Sequence, residues 1–353
     1  MPLVSVIVPT YNRPLSLEKT LISILNQTFS DIEIIVVNDA GEDVSNVIRI
    51  LDDDRISYIE NEKNKGLAGT RNVGILKARG KYVSFLDDDD LFYPTHIEIL
   101  VNEMEDKPQM AGVYSDVNMC YMRDDGVILQ EQVIYSLDWK KNYFYGVNFL
   151  NVLSYMLKKE VIIDIGLFDE SLRALEDYDM LIRLSKKYYL KHVPVITCKY
   201  IRQNKTMGAL NATCFVDRRK PFFDKNKLFF ESAGDINKYR TEFFNDTYSY
   251  KMKTYADRFK DKKIVVFGAG EGGRRLFGFL KEKNIPVSFL IDSQGEKSKN
   301  DWTDKYIYTP DQFFESFYDK DCFIFVAVGM IVHIFEVLEY LYNKNCKDFL
   351  LMY

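Results

Sequence analysis

Short apolar runs alternate with helix-period segments along the first ninety residues. Leu3 to Val8 is a continuous apolar run that Pro9-Thr10-Tyr11-Asn12 breaks. Leu15 to Leu25 then places Leu17, Leu21, Ile24 and Leu25 on one helical face, with Pro14 acceptable in the first turn. Glu33 to Val37 and Ile56 to Ile59 read as further buried strands, and Leu67 to Ala78 as a helix carrying Arg71. Tyr82 to Leu86 is a fourth strand, and it runs into Asp87-Asp88-Asp89-Asp90. This βαβ rhythm predicts a mostly parallel sheet whose ligands sit beyond the carboxyl ends of the strands. The notable polar residues fall at those ends.

The pattern changes further along. Val113, Tyr114, Val117 and Met119 sit in a strand-like stretch ending at a hairpin turn, Asp125-Gly126. Glu176 to Lys187 has helical period, with Met180, Leu181 and Leu184 facing inward. Residues 216–263 hold 13 Lys/Arg, 8 Asp/Glu and 11 aromatics, a basic and aromatic stretch too poor in Pro, Ser and Gly to be a flexible linker. Strand–turn–helix order resumes at Lys263: Ile264 to Phe267, then the turn Gly268-Ala-Gly270-Glu-Gly-Gly273, then a helix from Arg274 to Lys283. Val287 to Ile291 and Phe323 to Val328 are further strands, and a helix carries Ile331, Phe335 and Leu338. The expected organisation is therefore an α/β domain over residues 1–215, a helical connector over 216–262 and a small Rossmann-like α/β domain over 263–353.

Composition narrows the classes. The 353 residues are 47% hydrophobic and 28% charged, as in a soluble globular protein, and their number suits about two domains. A net charge of −5 argues against a nucleic-acid partner. Cys120, Cys198, Cys214, Cys322 and Cys346 are scattered, odd in number and never closely paired, which reads as core thiols in a reducing cytosol. The N-terminus lacks a basic n-region and reads as a first strand, not a signal peptide. No run approaches a membrane span, so the expectation is a cytoplasmic protein, held at most peripherally at the inner face of a membrane.

Four adjacent carboxylates repel one another, and a divalent cation with hard oxygen ligands, Mn²⁺ or Mg²⁺, relieves that repulsion. On an extended backbone Asp87 and Asp89 point to one side and Asp88 and Asp90 to the other. That gives a D-x-D pair able to bridge metal and diphosphate. The competing reading is a solvated acidic loop or the cap of a helix from Leu91 to Met104.

The segments VSVIVPTYNR at 4–13, IIVVNDA at 34–40, NKGLAGTRNVGI at 64–75 and YVSFLDDDDLF at 82–92 occur in this order. With VIIDIGLFDESL at 161–172 and ALEDYDMLIRL at 174–184, they strongly resemble the family-2 glycosyltransferases, which have the GT-A fold. The resemblance covers roughly residues 1–210. It implies transfer of a sugar from a UDP-sugar donor to a glycan, lipid-linked or glycoprotein acceptor, with inversion. By the same resemblance Thr10 and Tyr11 line the nucleoside pocket, Asp39 accepts the uracil N3–H, and Arg71 sits near base and phosphates. Asp87 meets ribose or sugar hydroxyls, Asp89 holds the metal, and Asp177 is the catalytic base. Pro9, Arg13, Gly66 and Asp88 lie within the same motifs and count with the nucleotide-sugar-binding residues. Asp177 also reads as an ordinary first-turn acid beside Glu176 and Asp179. Many relatives carry a metal-reaching His after the next strand; here Lys199-Tyr200-Ile201-Arg202-Gln203-Asn204 has none, so Asn204 stands in or the metal has fewer protein ligands. His96, His192 and His333 read as core or surface imidazoles.

Gly268-x-Gly270-x-x-Gly273 with Asp292 meets the structural conditions of a nucleotide fingerprint. The segment resembles small Rossmann-like modules beside bacterial sugar-modifying enzymes. The competing use is docking or homodimer formation. The connector's aromatics, interleaved with Lys/Arg, either lie in a membrane interface or pack domains, and their spread along the segment favours packing. Taken together the reading is an inverting, metal-dependent glycosyltransferase of surface glycan, polysaccharide or glycoprotein assembly. Its alternatives are an inactive nucleotide-sugar binding or scaffold protein and a nucleotide-sugar dehydrogenase or epimerase.

Overall fold

The computed structural model describes residues 1–134, 137–203, 212–232, 234–295, 302–328 and 331–352. They form two compact units. The first comprises Met1–Cys120, Val133–Arg202 and the helical stretch up to Ile236; the second comprises Tyr121–Gln132 and the chain from Asn237 onward. This division falls inside the aromatic, basic segment.

The chain runs β1 (Val4–Thr10), α1 (Pro14–Leu25), β2 (Ile32–Asn38), α2 (Ser45–Leu51), β3 (Ile56–Glu60), α3 (Gly66–Lys77) and β4 (Tyr82–Phe85). There follow β5 (Leu91–Phe92), α4 (His96–Asp106), β6 (Gly112–Met122), β7 (Ile128–Ile134), β8 (Tyr155–Lys158), α5 (Lys159–Asp164), α6 (Glu176–Lys187) and β9 (Leu190–Gln203). Helices α7 (Ala212–Lys225) and α8 (Lys227–Ser232) complete the first unit. Its sheet has the order β3-β2-β1-β4-β8-β6-β9-β5, while the end of β6 and most of β7, within Tyr121–Gln132, belong to the second unit.

β1, β2, β3 and β4 are parallel. Every residue of β1 and β2 is buried, as both-face coverage by helices requires. Register does the positioning. Thr10 lies opposite Asn38, Asn38 opposite Glu60, and Ile7 opposite Phe85, so Thr10, Asp39 and the acidic run all emerge at one edge. Antiparallel β8 continues the sheet beside β4, with Ser84 facing Met156. The chain after Phe85 departs from the capped-helix alternative: the acidic run closes as a turn, Asp90 N–H donating to Asp87 O at 3.1 Å, and the helix begins only at His96 after the short strand β5.

The second unit contains α9 (Ile236–Thr254), α10 (Ala256–Phe259), β10 (Lys263–Phe267), α11 (Glu271–Glu282), β11 (Val287–Ile291), β12 (Ile307–Tyr308), α12 (Pro310–Ser316), β13 (Cys322–Val326), α13 (Ile331–Asn343) and β14 (Phe349–Leu351). All five strands are parallel in the order β12-β11-β10-β13-β14. Periodicity missed β12 and β14, which are two and three residues long. The aromatics of the connector pack: Phe222 stacks on Tyr178 at 5.0 Å in the first unit, and Tyr248 meets Phe279 at 5.3 Å in the second. Phe223 remains exposed.

Candidate active site

Two arginines organise the acids at the edge of the first sheet. Arg13, on the turn before α1, reaches Asp88 at 3.1 Å and Asp89 at 2.5 Å through Nη1. Asp88 is buried, accepts the Thr10 hydroxyl at 2.8 Å and the Tyr11 amide at 3.4 Å, and so ties the end of β1 to the end of β4. Pro9 precedes this knot inside β1, opposite Val37. The Tyr11 ring is exposed.

Asp39 follows β2 and is tied to the residues around the start of α3. Its Oδ1 accepts from Asn61 Nδ2 at 2.9 Å and Lys65 N at 2.8 Å, and its Oδ2 from Gly66 N at 2.8 Å. Gly66 has φ +76°, and a Cβ there would lie 2.3 Å from Arg173 Nη1, so the left-handed turn favours glycine.

From α3, Arg71 points into the space between β4 and α6. It is 1% exposed and forks, Nη2 to Asp87 Oδ1 at 2.7 Å and Nη1 to Glu176 Oε1 at 2.8 Å, above the Phe168 ring. Sequence reasoning expected this fork to serve a ligand; here both prongs meet carboxylates of the chain. Burial opposes the guanidinium's charge, but Asp87 and Glu176 outweigh it and hold the charge in place. Glu176 itself is raised by burial against Arg71's pull. Its partnership with Arg71, 105 residues away, has no local signal in the sequence.

Asp177 is the next residue on α6, half-buried. Its Oδ2 accepts Asn148 Nδ2 at 3.0 Å and its Oδ1 accepts Tyr178 N at 2.8 Å. Burial raises its pKa, with Arg71 and Asn148 pulling the other way. The helix is anchored one turn on, where Asp179 binds Arg183 at 2.8 Å, Lys225 at 2.8 Å and Asn226 at 3.0 Å. Only the Asp179–Arg183 pair, four apart on one helix, was readable beforehand.

Burial alternates along the acidic run as an extended D-x-D pattern predicts, with Asp88 and Asp90 inside and Asp87 and Asp89 partly out. Arg13 nevertheless touches both sides, because the run turns. Asp89 is pushed up to about 6, first by burial and then by Asp87 and Asp88, against Arg13. Asp90 is raised well beyond the usual carboxylate range by burial and by Asp89 and Asp87; Ile201 N donates to its Oδ1, and its Oδ2 has no partner. Arg71 Nε, Asn148 Oδ1 and Tyr155 Oη are also buried without a hydrogen bond.

Among the described residues no three His, Cys, Asp or Glu side chains are arranged to hold a metal. Asn204 lies outside the described residues, and so does the side chain of Cys214. Cys120, Cys198, Cys322 and Cys346 are buried and form no disulfide among the described residues. His96 is buried against Thr197 at 2.7 Å, His192 binds Asp116 at 2.8 Å, and His333 is a surface partner of Glu336. In the second unit Gly268 has φ +113° and a Cβ on Gly273 would lie 1.7 Å from Gly268 O. Asp292 turns onto this loop, its Oδ2 accepting from Ala269 N at 2.9 Å.

The profile named "Glycosyl transferase family 2" matches residues 5–148. A glycosyltransferase of Rickettsia typhi, RT0329, is 33% identical over 223 residues, 60% of this chain and 68% of the relative. WcaA of Escherichia coli, named for colanic acid biosynthesis, is 30% identical over 197 residues, 53% of this chain and 67% of its own. The chain spans 62% of the length of a Haemophilus influenzae glycosyltransferase to which it is 33% identical, and about two thirds of RT0329 and WcaA. Residues 1–349 of Staphylococcus aureus TarS, crystallised with UDP-GlcNAc, superpose with a TM-score of 0.53 at 18% identity, over 81% of this chain and 82% of that one, a likeness of fold. Among the described residues no helix is long and apolar enough to cross a membrane. The relatives, the ordered strand-end motifs and the sheet that carries them together place this chain in glycosyl transferase family 2.

Proposed function

We propose that the chain transfers a sugar, with inversion, from a UDP-sugar to an acceptor hydroxyl in surface-glycan, polysaccharide or glycoprotein assembly. The observation that carries this reading is Arg71: one buried guanidinium joins Asp87, at the donor-side strand end, to Glu176, the neighbour of Asp177. Colanic acid in WcaA's name and UDP-GlcNAc in the TarS crystal support the donor and pathway class.

In this reading Thr10, Tyr11 and Asp39 hold the uridine, Asp39 taking the uracil N3–H on lone pairs its three bonds leave free. Asp87 meets hydroxyls of the donor. Asp177, whose pKa burial raises and so makes it a stronger base than a free carboxylate, accepts the proton of the acceptor hydroxyl as its oxygen bonds to the anomeric carbon. The bond from that carbon to the diphosphate oxygen breaks on the opposite face, and its electron pair leaves with UDP. In this reading Asp89 would hold a divalent cation, beside the other carboxylates of the acidic run, in place of its present contact with Arg13. Mn²⁺ or Mg²⁺ bound there offsets charge on the departing diphosphate.

A thermal-shift panel of UDP, GDP and CMP donors, with and without Mn²⁺, tests the donor half. UDP with Mn²⁺ should stabilise the protein and Asp89→Ala should remove the effect; equal response of the variant removes Asp89 from the site. Asp177→Asn should keep donor binding and lose roughly 10²–10⁴-fold in transfer rate. Donor binding without any turnover in the wild type would favour the inactive, nucleotide-sugar-binding reading.

A further inference from the structure

Asn148 is held where its two ends have different fates. The stretch that carries it is pinned to α6, where Tyr178 Oη donates to Phe144 O at 2.6 Å, and to α8, where Tyr145 stacks on Phe229 at 4.5 Å. Asn148 then places its amide against Asp177, 3.0 Å from Oδ2. The amide nitrogen must face that carboxylate, since two acceptors would repel, and this leaves Asn148 Oδ1 pointing elsewhere. That oxygen is buried and accepts nothing. A second such group belongs to Tyr155, on β8, fully buried with its ring edge-on to Phe85 at 6.0 Å. Its hydroxyl also lacks a partner, and the charge that bears most on it is Asp177.

Unpaired buried polar atoms are rare because each forfeits its hydrogen bond to water without replacement. Here an unpaired acceptor and an unpaired donor attend the same carboxylate. A lone hydroxyl arriving at Asp177 would satisfy neither. A diol on adjacent carbons would satisfy both: one hydroxyl loses its proton to Asp177, and its neighbour donates to Asn148 Oδ1 while accepting from Tyr155.

We infer that Asn148, supported by Tyr155, selects an acceptor whose reacting hydroxyl has a second hydroxyl on the adjacent carbon. This rests on Asp177 being the base of the proposed transfer. The bond changes are those of that transfer, and the second hydroxyl keeps its proton throughout.

The test uses two isomeric probes, 1,2-propanediol and 1,3-propanediol, which share composition and differ in hydroxyl spacing. The full-length protein is incubated with UDP-glucose, UDP-galactose, UDP-GlcNAc or UDP-GalNAc and Mn²⁺, and glycosylated diol and free sugar are quantified by mass spectrometry. The ratio of the two products is internal to each reaction, so it is independent of how much protein is folded. The wild type should favour the 1,2-isomer at least tenfold over the 1,3-isomer, Asn148→Ala should bring that preference close to one, and Tyr155→Phe should lower it several-fold. Equal partition of the isomers in the wild type, absence of diol product beside free sugar, or a preference that survives Asn148→Ala overturns the inference. Failure to turn over any donor counts instead against the proposed transfer itself.

Discussion

Each unit ends a pair of adjacent parallel strands with acidic residues beside a glycine turn, and the two treat those acids in opposite ways. In the first, Asp87, Asp88, Asp89 and Glu176 are met by two arginines, while Asp90 Oδ2, Arg71 Nε, Asn148 Oδ1 and Tyr155 Oη are buried without partners. In the second, Asp292 closes onto the turn it faces, taking Ala269 N at 2.9 Å and Gln294 N at 3.1 Å, and among the described residues no buried side-chain N or O atom between Gly268 and Gly273 lacks a partner. Similar strand–turn–helix geometry thus supports different energetics. Charge compensated by charge, with hydrogen-bonding capacity left over, suits a site that completes itself with a polar ligand. A carboxylate satisfied by backbone amides suits a turn that is finished as it stands.

The sharpest way to break this contrast is to remove the shared cation. Arg71→Met keeps much of the side chain's length and leaves Asp87 and Glu176 facing each other in a buried space. Breaking a buried pair in this way costs about 3–5 kcal/mol, because the remaining charge is uncompensated. Trp139 and Trp302 are the two tryptophans, one in each unit, so Trp302→Phe leaves Trp139 fluorescence as a reporter of the first. Urea unfolding of Arg71→Met in that background should show the loss. A change under about 1 kcal/mol would mean the guanidinium is not what holds these acids together.

Proton linkage separates the units next. Burial pushes Lys251, on α9, down to about 7; its Nζ donates to Leu351 O at 2.8 Å. The unfolded lysine keeps its proton up to about 10.5, so between pH 7 and 10.5 the unfolded state binds the extra proton. Stability from this group is therefore complete above 10.5 and is lost as pH falls toward 7, by up to about 1.4 kcal/mol per pH unit. In the first unit His96 is pushed down to about 3 by burial, so its contribution is present above 6.5 and lost as pH falls toward 3. Lys251→Met should flatten the alkaline slope followed by Trp302 fluorescence in a Trp139→Phe background. An unchanged slope would show that Lys251 is charged in the fold.

Much of this was legible in the chain, and the reasons are local ones. Buried parallel strands are continuous apolar runs, so Val4–Thr10, Ile32–Asn38 and Val287–Ile291 stand out to within a residue or two. Glu176–Lys187 carries its period and its acidic first turn in plain view. What periodicity could not supply was which strand end faces which. Arg71 and Glu176 are 105 residues apart, and Asn148 and Asp177 sit 29 apart in a stretch with no regular element at Asn148. Those pairings are consequences of register and of where α6 is anchored, and neither is written in any single segment. The turn of the acidic run was missed for a related reason: extended alternation and a tight turn bury the same two aspartates.

The smallest effect tests the second half of the contrast. Asp292→Ala removes a carboxylate from Ala269 N and Gln294 N, two backbone amides that can turn to water. The left-handed Gly268 and the close Gly273 approach still shape the turn without it. The expected cost is about 1 kcal/mol, the net value of a hydrogen bond at a partly exposed site, read from Trp302 unfolding in the Trp139→Phe background. A cost as large as that of Arg71→Met would show that Asp292 answers a buried cation, and the two strand ends would then follow one rule instead of two.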